Sequence, residues 1–159
     1  MQSPDGLAPY TEALERVDTP VRRALDVGTG SGRGAQELQR RYPHAEIVGL
    51  DVSPAMLEEA RKLLPDIEFL QGDASRLPFR EGEFDLVAHA NMIPFVDEVA
   101  RVLRPGGWTI FAFSGGAGTP IYVAPDRLKR ELERRGFTDF AEISAGRGTA
   151  VLARRGNPH

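Results

Sequence analysis

The feature that most restricts this chain is the run Asp26-Val-Gly28-Thr-Gly30-Ser-Gly32. Ahead of it, Ala24 to Val27 is a short apolar segment of strand character. Behind it, Gly34 to Tyr42 puts Ala35, Leu38 and Tyr42 on one helical face. A strand that turns into a helix through alternate glycines suits few architectures. Glycine accepts left-handed backbone and lets a ligand come up against the main chain, and the helix that follows offers unpaired N–H groups in its first turn. Several nucleotide-binding folds share this arrangement, so the loop by itself points to an α/β fold without choosing a ligand.

The rest of the chain repeats the alternation. Short helices are expected at Thr11–Val17, from the Ser53-Pro54 start (Ser as N-cap, Pro in the first turn), at Pro94–Leu103 and at Pro125–Arg135. Strands are expected at Glu46–Leu50, Ile67–Leu70, Phe84–Ala88 and Trp108–Phe113, with a closing pair at Phe140–Ile143 and Thr149–Ala153. The Gly146 to Gly148 spacing makes that last pair antiparallel, and Arg104-Pro-Gly-Gly107 reads as a helix stop. Alternating strands and helices make a doubly wound, mostly parallel α/β sheet. The 159 residues fit one domain, 1–159, with residues 1–23 as an N-terminal segment available as a lid.

Composition narrows the function classes. There are no cysteines, which rules out disulfides, thiolate zinc sites and cysteine nucleophiles, and no metal site is expected. The acidic, proline-bearing start lacks an apolar h-region and no stretch approaches a membrane span, so a cytoplasmic protein without membrane attachment is expected. The net charge of −3 lacks the basic stripe of a nucleic-acid binder. The pairs Arg22–Arg23, Arg40–Arg41, Arg134–Arg135 and Arg154–Arg155 fall at element ends and are expected to be solvated.

Two carboxylates give the loop chemistry. Asp51 ends the second strand, 21 residues after Gly30, which places it to accept both hydroxyls of a ribose. Asp73, in Phe69-Leu-Gln-Gly-Asp-Ala74, follows the third strand; it either accepts from an adenine amino group or closes an Asx turn.

With these residues in place, the chain resembles the class I S-adenosylmethionine-dependent methyltransferases. The resemblance lies in LDVGTGSG (25–32), VGLDVSPAMLEEAR (48–61), FLQGDASRLPF (69–79), FDLVAHA (84–90) and RVLRPGGWTIFAF (101–113), in that order. It implies a Rossmann-like sheet of seven strands ordered 3-2-1-4-5-7-6, S-adenosylmethionine as cofactor, and methyl transfer by in-line displacement. It also implies that Gly28, Thr29, Gly30 and Gly32 pack against the methionine part of the cofactor. Asp26 would orient its amino group and Asp51 hold the ribose, while Val52 and Met56 cover the adenine face. Asp73 and Ala74 would read the adenine edge, and His89 or Ala90 line the methionine end. Met56 and His89 also have structural alternatives, one as core and one as a satisfied buried imidazole.

Two rivals stand beside this reading. A nicotinamide dehydrogenase would need a third glycine where Arg33 stands, and a substrate domain. A non-catalytic, methyltransferase-like module serving a partner protein would keep the same cofactor residues. The acceptor is expected to be a small molecule, with a protein as runner-up. Asn91-Met-Ile-Pro94-Phe95 separates Asn from Pro, unlike the Asn-Pro-Pro-aromatic motif of nitrogen methyltransferases. His89 and Tyr10 are the candidate bases. Little sequence is left to cover the acceptor, so a homodimer partner, the Gly115–Gly118 loop or the segment around Tyr10 is expected to do so.

Overall fold

A computed structural model of the chain describes residues 7–115 and 122–156. Residues 1–6 and most of the Gly115–Gly118 loop, both named above as covers, lie outside the described residues. The elements are α1 (Ala8–Glu15), β1 (Arg23–Val27), α2 (Arg33–Arg41), β2 (Glu46–Asp51), α3 (Pro54–Leu63), β3 (Glu68–Gln71), β4 (Phe84–Ala90), α4 (Val96–Val102), β5 (Leu103–Phe113), α5 (Pro125–Glu133), β6 (Phe137–Ala145) and β7 (Gly148–Arg155). They form one sheet ordered β3-β2-β1-β4-β5-β7-β6. Strands β3 to β5 in that order are parallel, and β7 is antiparallel to both β5 and β6. This is the order the resemblance implies.

Alternation along each central strand divides the core in two. Ala24, Leu86, Ala88, Ile110 and Ala112 face α1, α2 and α3, where they meet Tyr10, Leu14, Leu38 and Leu57. Leu25, Val27, Val87, Phe111 and Phe113 face α4 and α5, against Val99, Val102, Leu128 and Leu132. Local chemistry sets the helix starts. Ser53 Oγ accepts from Met56 N at 3.3 Å and Pro54 follows it, as expected for α3.

Two elements differ from the sequence expectation. Helix α1 begins at Ala8 with Pro9 in its first turn, three residues before the expected Thr11. Its residues Tyr10, Ala13 and Leu14 are buried, and it packs on β5, β6 and β7, so this part of the N-terminal segment is core rather than lid. The Arg104-Pro-Gly-Gly107 stretch lies inside β5, as an irregularity that shifts the β4–β5 register between Phe84 and Leu86. There Arg104 pairs with Asp85, whose other oxygen accepts from Arg22 N and Arg23 N at 2.7 and 2.9 Å.

The arginine pairs are only partly the solvated ends expected. Arg23 lies over Phe84 and bonds Glu83 at 3.0 Å, Arg135 bridges Asp97 and Glu131, Arg154 caps Gly106 O at 3.0 Å, and Arg155 bonds Leu103 O. These arginines fasten loops and strand ends that the sequence leaves unassigned.

Candidate functional site

From β1 the sheet grows one way through β2 and the other way through β4, so the chain order reverses between β1 and β4. Open α/β sheets bind ligands in the crevice at such a reversal, beyond the carboxyl ends of the strands. A cleft of about 600 Å³ lies there, lined among others by Asp26, Gly28, Gly30, Arg33, Ala90 and Arg147.

The glycine loop forms the cleft floor. Gly28 N and Thr29 N both donate to Leu50 O, at 2.8 and 2.9 Å, which ties the loop to β2. Gly30 N donates to Asp51 Oδ2 at 2.8 Å, and Asp51 Oδ1 accepts from Ser53 N at 3.0 Å. The carboxylate at the end of β2 is therefore locked to the loop, while each oxygen keeps acceptor capacity for a ligand hydroxyl. Gly30 has φ +54° and open space where a Cβ would stand, so any side chain there would be strained and would project into the cleft. Gly32 behaves differently. It is the left-handed N-cap of α2, and a Cβ on it would meet Leu64 Cδ1 at 2.8 Å. It serves packing between α2 and α3 and does not line the cleft, in contrast to the expectation for all three glycines.

Asp26 is 3% exposed at the cleft floor. Tyr10 Oη donates to its Oδ1 at 2.9 Å. A Cβ on Gly34 would stand 2.7 and 2.8 Å from the two carboxylate oxygens, so only glycine lets the first turn of α2 pass so close. Burial pushes the Asp26 carboxyl up to about 6, partly offset by the Tyr10 hydroxyl, with the charge of Asp51 adding to the rise. Tyr10 is itself fully buried, and burial followed by the Asp26 charge raises its phenol well above 10. It is a neutral donor to Asp26, and neither a lid residue nor an acceptor-facing base. Sequence reasoning named Tyr10 in another role and did not place Gly34, Arg33, Ser114 or Arg147 at the site. The close approach of Gly34 has no local signal beyond its position two residues after Gly32.

His89 is also corrected. It is 2% exposed, stacks on Phe111 with ring centres 4.2 Å apart, and its Nδ1 lies 2.9 Å from Ile110 O, to which it donates. Burial pushes it down to about 4. It is a neutral structural imidazole under the sheet, whereas its neighbour Ala90 lines the cleft. Next in the chain, Asn91 takes φ +57°; its Oδ1 accepts from Ser114 N and Oγ at 2.9 and 3.2 Å, joining the ends of β4 and β5.

On the β2 side, Val52 and Met56 are 64% and 41% exposed, apolar surfaces left bare beside Asp51. Met56 is thus not core. Ala74 borders a small hollow of about 50 Å³ with Gly28, Asp51 and Met92. Met92 rests against the face of Gly28 where a Cβ would be. Asp73 lies exposed, its Oδ1 accepting from Ser75 N and Oγ at 2.8 and 2.7 Å, and these bonds hold it below the usual carboxylate range. The Asx-turn alternative is therefore present, and Asp73 lines neither cavity.

Comparison with known proteins converges on this geometry. The methyltransferase-domain family matches residues 24–107, from the start of β1 into β5. A probable phthiotriol/phenolphthiotriol dimycocerosates methyltransferase of Mycobacterium ulcerans is 38% identical over 112 residues, 65% of this chain and 43% of that protein. The demethylmenaquinone methyltransferase of Thermotoga maritima is 46% identical over 82 residues, 52% of this chain and 36% of that protein. This chain thus spans less than half the length of these curated relatives. Among solved structures, a chain of the Haloferax volcanii complex with the Trm112 methyltransferase activator has TM-score 0.82 at 20% identity, over 98% of this chain and 91% of that one, a likeness of fold. The family match covers more than half of the chain and takes in its glycine loop, Asp51 and the reversal point: the chain belongs to the methyltransferase-domain family, in the class I S-adenosylmethionine-dependent branch.

Proposed function

We propose that this chain binds S-adenosylmethionine along the cleft and that its methyl group passes to a small-molecule acceptor by in-line displacement. The observation that carries the proposal is the Gly30–Asp51 lock, which fixes a carboxylate with spare acceptor capacity beside a glycine that leaves its cleft side bare. The residues present fit the cofactor. Asp51 suits the ribose hydroxyls, the exposed faces of Val52 and Met56 suit the purine, and buried Asp26 suits an ammonium. At one point the fit requires movement: the hollow beside Ala74 is smaller than a purine, and Met92 must turn away from Gly28 to widen it.

When bound, the cofactor supplies an activated methyl group on sulfonium sulfur. The chain's own part is positional. Asp51 and Asp26 fix the two ends of the cofactor, and the Asn91–Ser114 link sets the wall past which an acceptor approaches. Orientation of this kind lowers a barrier without a catalytic side chain. Small-molecule acceptors are those of the relatives named above, which supports the same class here. We further propose that residues 1–159 act as one domain, in the cytoplasm, as a homodimer whose second subunit covers the acceptor side. No helix among the described residues is long and apolar enough to cross a membrane.

Titration calorimetry tests the core of this reading. S-adenosylmethionine and its demethylated product should each bind at one site. Asp51→Ala should weaken both by at least about tenfold, since bonds to a charged acceptor contribute roughly 1.5–3 kcal/mol each. Folded wild-type protein that gives no heat with either ligand at millimolar concentration overturns the proposal.

A further inference from the structure

We infer that the acceptor side of the cleft takes an anionic oxygen nucleophile, a carboxylate, and that Arg147 holds it. This inference rests on the cofactor reading above and adds the class of acceptor.

The first support is position. Along the carboxyl edge of the sheet stand Asp51 after β2, the glycine loop after β1, Ala90 and Asn91 at the end of β4, Ser114 after β5, and Arg147 in the β6–β7 turn. From β2 to β7 is four strand spacings, about 19 Å. A cofactor with its ribose at Asp51 and its ammonium at Asp26 occupies the β2–β1 end, which leaves Arg147 at the far, acceptor end of the same cleft. The second support is that this turn is built tightly. Gly146 takes φ +59°, and a Cβ on Gly148 would stand 2.7 Å from Pro9 Cγ, 2.8 Å from Phe113 O and 3.0 Å from Ser114 O. The turn is pressed onto the end of β5 and the start of α1, so the guanidinium is carried on a fixed base at the cleft mouth.

The third support is charge and, among the described residues lining the cleft, the lack of a base at the acceptor end. Among the described residues lining the cleft, Arg33 and Arg147 are the cations, and Asp26 is the one carboxylate, sunk beneath Tyr10 and Gly34. The Asn91 carbonyl oxygen is already engaged by Ser114, so what its amide can still offer is N–H. The acceptor end therefore presents donors and positive charge. An amine acceptor, protonated near neutrality, would be repelled there. An alcohol would need its proton removed, and both candidate bases, His89 and Tyr10, are buried in the core. A carboxylate needs neither step. Its oxygen forms the bond to the methyl carbon, the carbon–sulfur bond breaks with its electron pair left on sulfur, and a methyl ester and S-adenosylhomocysteine result with no proton transferred. The guanidinium fork matches a carboxylate in two parallel bonds.

The test uses benzoate and octanoate against benzyl alcohol, octanol, benzylamine and octylamine. Binding to the full chain saturated with S-adenosylhomocysteine is followed by ligand-observed NMR, and transfer by methyl-labelled cofactor. The carboxylates should bind in preference to the alcohols and amines, and transferred label should be released as methanol by alkali, as from a methyl ester. Arg147→Ala should weaken carboxylate binding by about tenfold or more while S-adenosylhomocysteine affinity stays within about twofold, and Arg147→Lys should recover part of the loss. Alcohols or amines binding as well as the carboxylates, or alkali-stable label, would overturn the inference. So would an Arg147→Ala protein that loses cofactor affinity and keeps carboxylate affinity, because Arg147 would then serve the cofactor. A protein that binds S-adenosylhomocysteine but neither carboxylate overturns this inference alone; one that binds none of them overturns the cofactor reading beneath it as well.

Discussion

The two ends of the cleft are made differently. At the β1–β2 end, specificity comes from backbone: left-handed glycines, N–H groups aimed at Leu50 and Asp51, and carboxylates held by the main chain. At the β4–β5–β7 end it comes from side chains on turns, with Asn91, Ser114 and Arg147 projecting from the ends of three strands. The same contrast appears in the buried titratable groups. Asp26 and His89 stand on neighbouring strands, one residue apart in register, since Val27 pairs with His89. Asp26 faces α1 and α2 and touches the cleft; His89 faces the opposite layer and is sealed against Phe111. One step in strand parity separates a cleft-facing carboxyl from a structural imidazole. Backbone-made recognition suits a ligand that does not change, and turn-borne side chains can be altered without disturbing the sheet.

The contrast can be broken most forcefully at Gly30. Gly30→Val places a β-branched residue at φ +54° and fills the cofactor side of the cleft. The strain is roughly 1–3 kcal/mol, and cofactor affinity should fall by about a hundredfold or more with the fold retained. Circular dichroism with calorimetry would check this; a folded variant with unchanged affinity would show the loop to be only a turn.

A smaller effect is expected at Tyr10, which separates support of Asp26 from general packing. Charged groups near Asp26 are Asp51 on β2 and, through Tyr10, Glu37 on α2; Arg33 lines the same cleft. With Asp26 raised to about 6, cofactor affinity should decline as pH falls through 6, because the protonated acid cannot hold an ammonium. Tyr10→Phe removes a bond to the charged form, so that midpoint should move up by roughly one unit. Affinity should then be several-fold lower near pH 6, about twofold lower near pH 7 and close to wild type at pH 8.5. A uniform loss across pH would mean that Tyr10 acts only through packing.

The smallest effect on function is expected at His89. Its folded value, depressed to about 4 from an ordinary 6.5, means that the unfolded chain binds the proton more readily between those values. Its stabilising contribution is therefore whole above pH 6.5 and is lost as pH falls toward 4, by up to about 3 kcal/mol. Asp26 has the opposite sign: its raised value makes the folded state cheaper as pH falls from 6 toward 4. His89→Gln keeps a donor for Ile110 O and removes the first slope. The urea midpoint at pH 5 should then rise relative to that at pH 7.5, because the opposing slope of Asp26 remains, with cofactor affinity unchanged. An unaltered acid slope, or a lost cofactor site, would place His89 in the working machinery after all.

Much of this molecule was legible before its structure. The glycine run with a strand ahead and a helix behind, Asp51 at the next strand end, and Ser53-Pro54 at a helix start are local signals. They were read correctly because backbone conformation, capping and strand parity depend on near neighbours in sequence. The misplacements of Tyr10, Gly32 and the Arg104–Gly107 stretch, and the choice left open at His89, share another cause. Whether Tyr10 reaches Asp26, sixteen residues away, depends on α1 docking against the far strands β5, β6 and β7. Whether His89 faces the cleft or the core depends on which layer its parity meets. Whether Pro105 and Gly107 end a helix or bend a strand depends on Asp85 and the partner strand β4.

By itself, then, the sequence determined the α/β alternation, the loop and the carboxylate at the end of the second strand, because these are written in runs of residues short enough for backbone preference to decide. Tertiary structure alone decided which buried polar groups open to the cleft, which glycines serve the ligand and which serve packing, and that the β6–β7 turn carries Arg147 to the acceptor end. Each of those depends on surfaces that meet only when strands distant in the chain pair and the helices close over them.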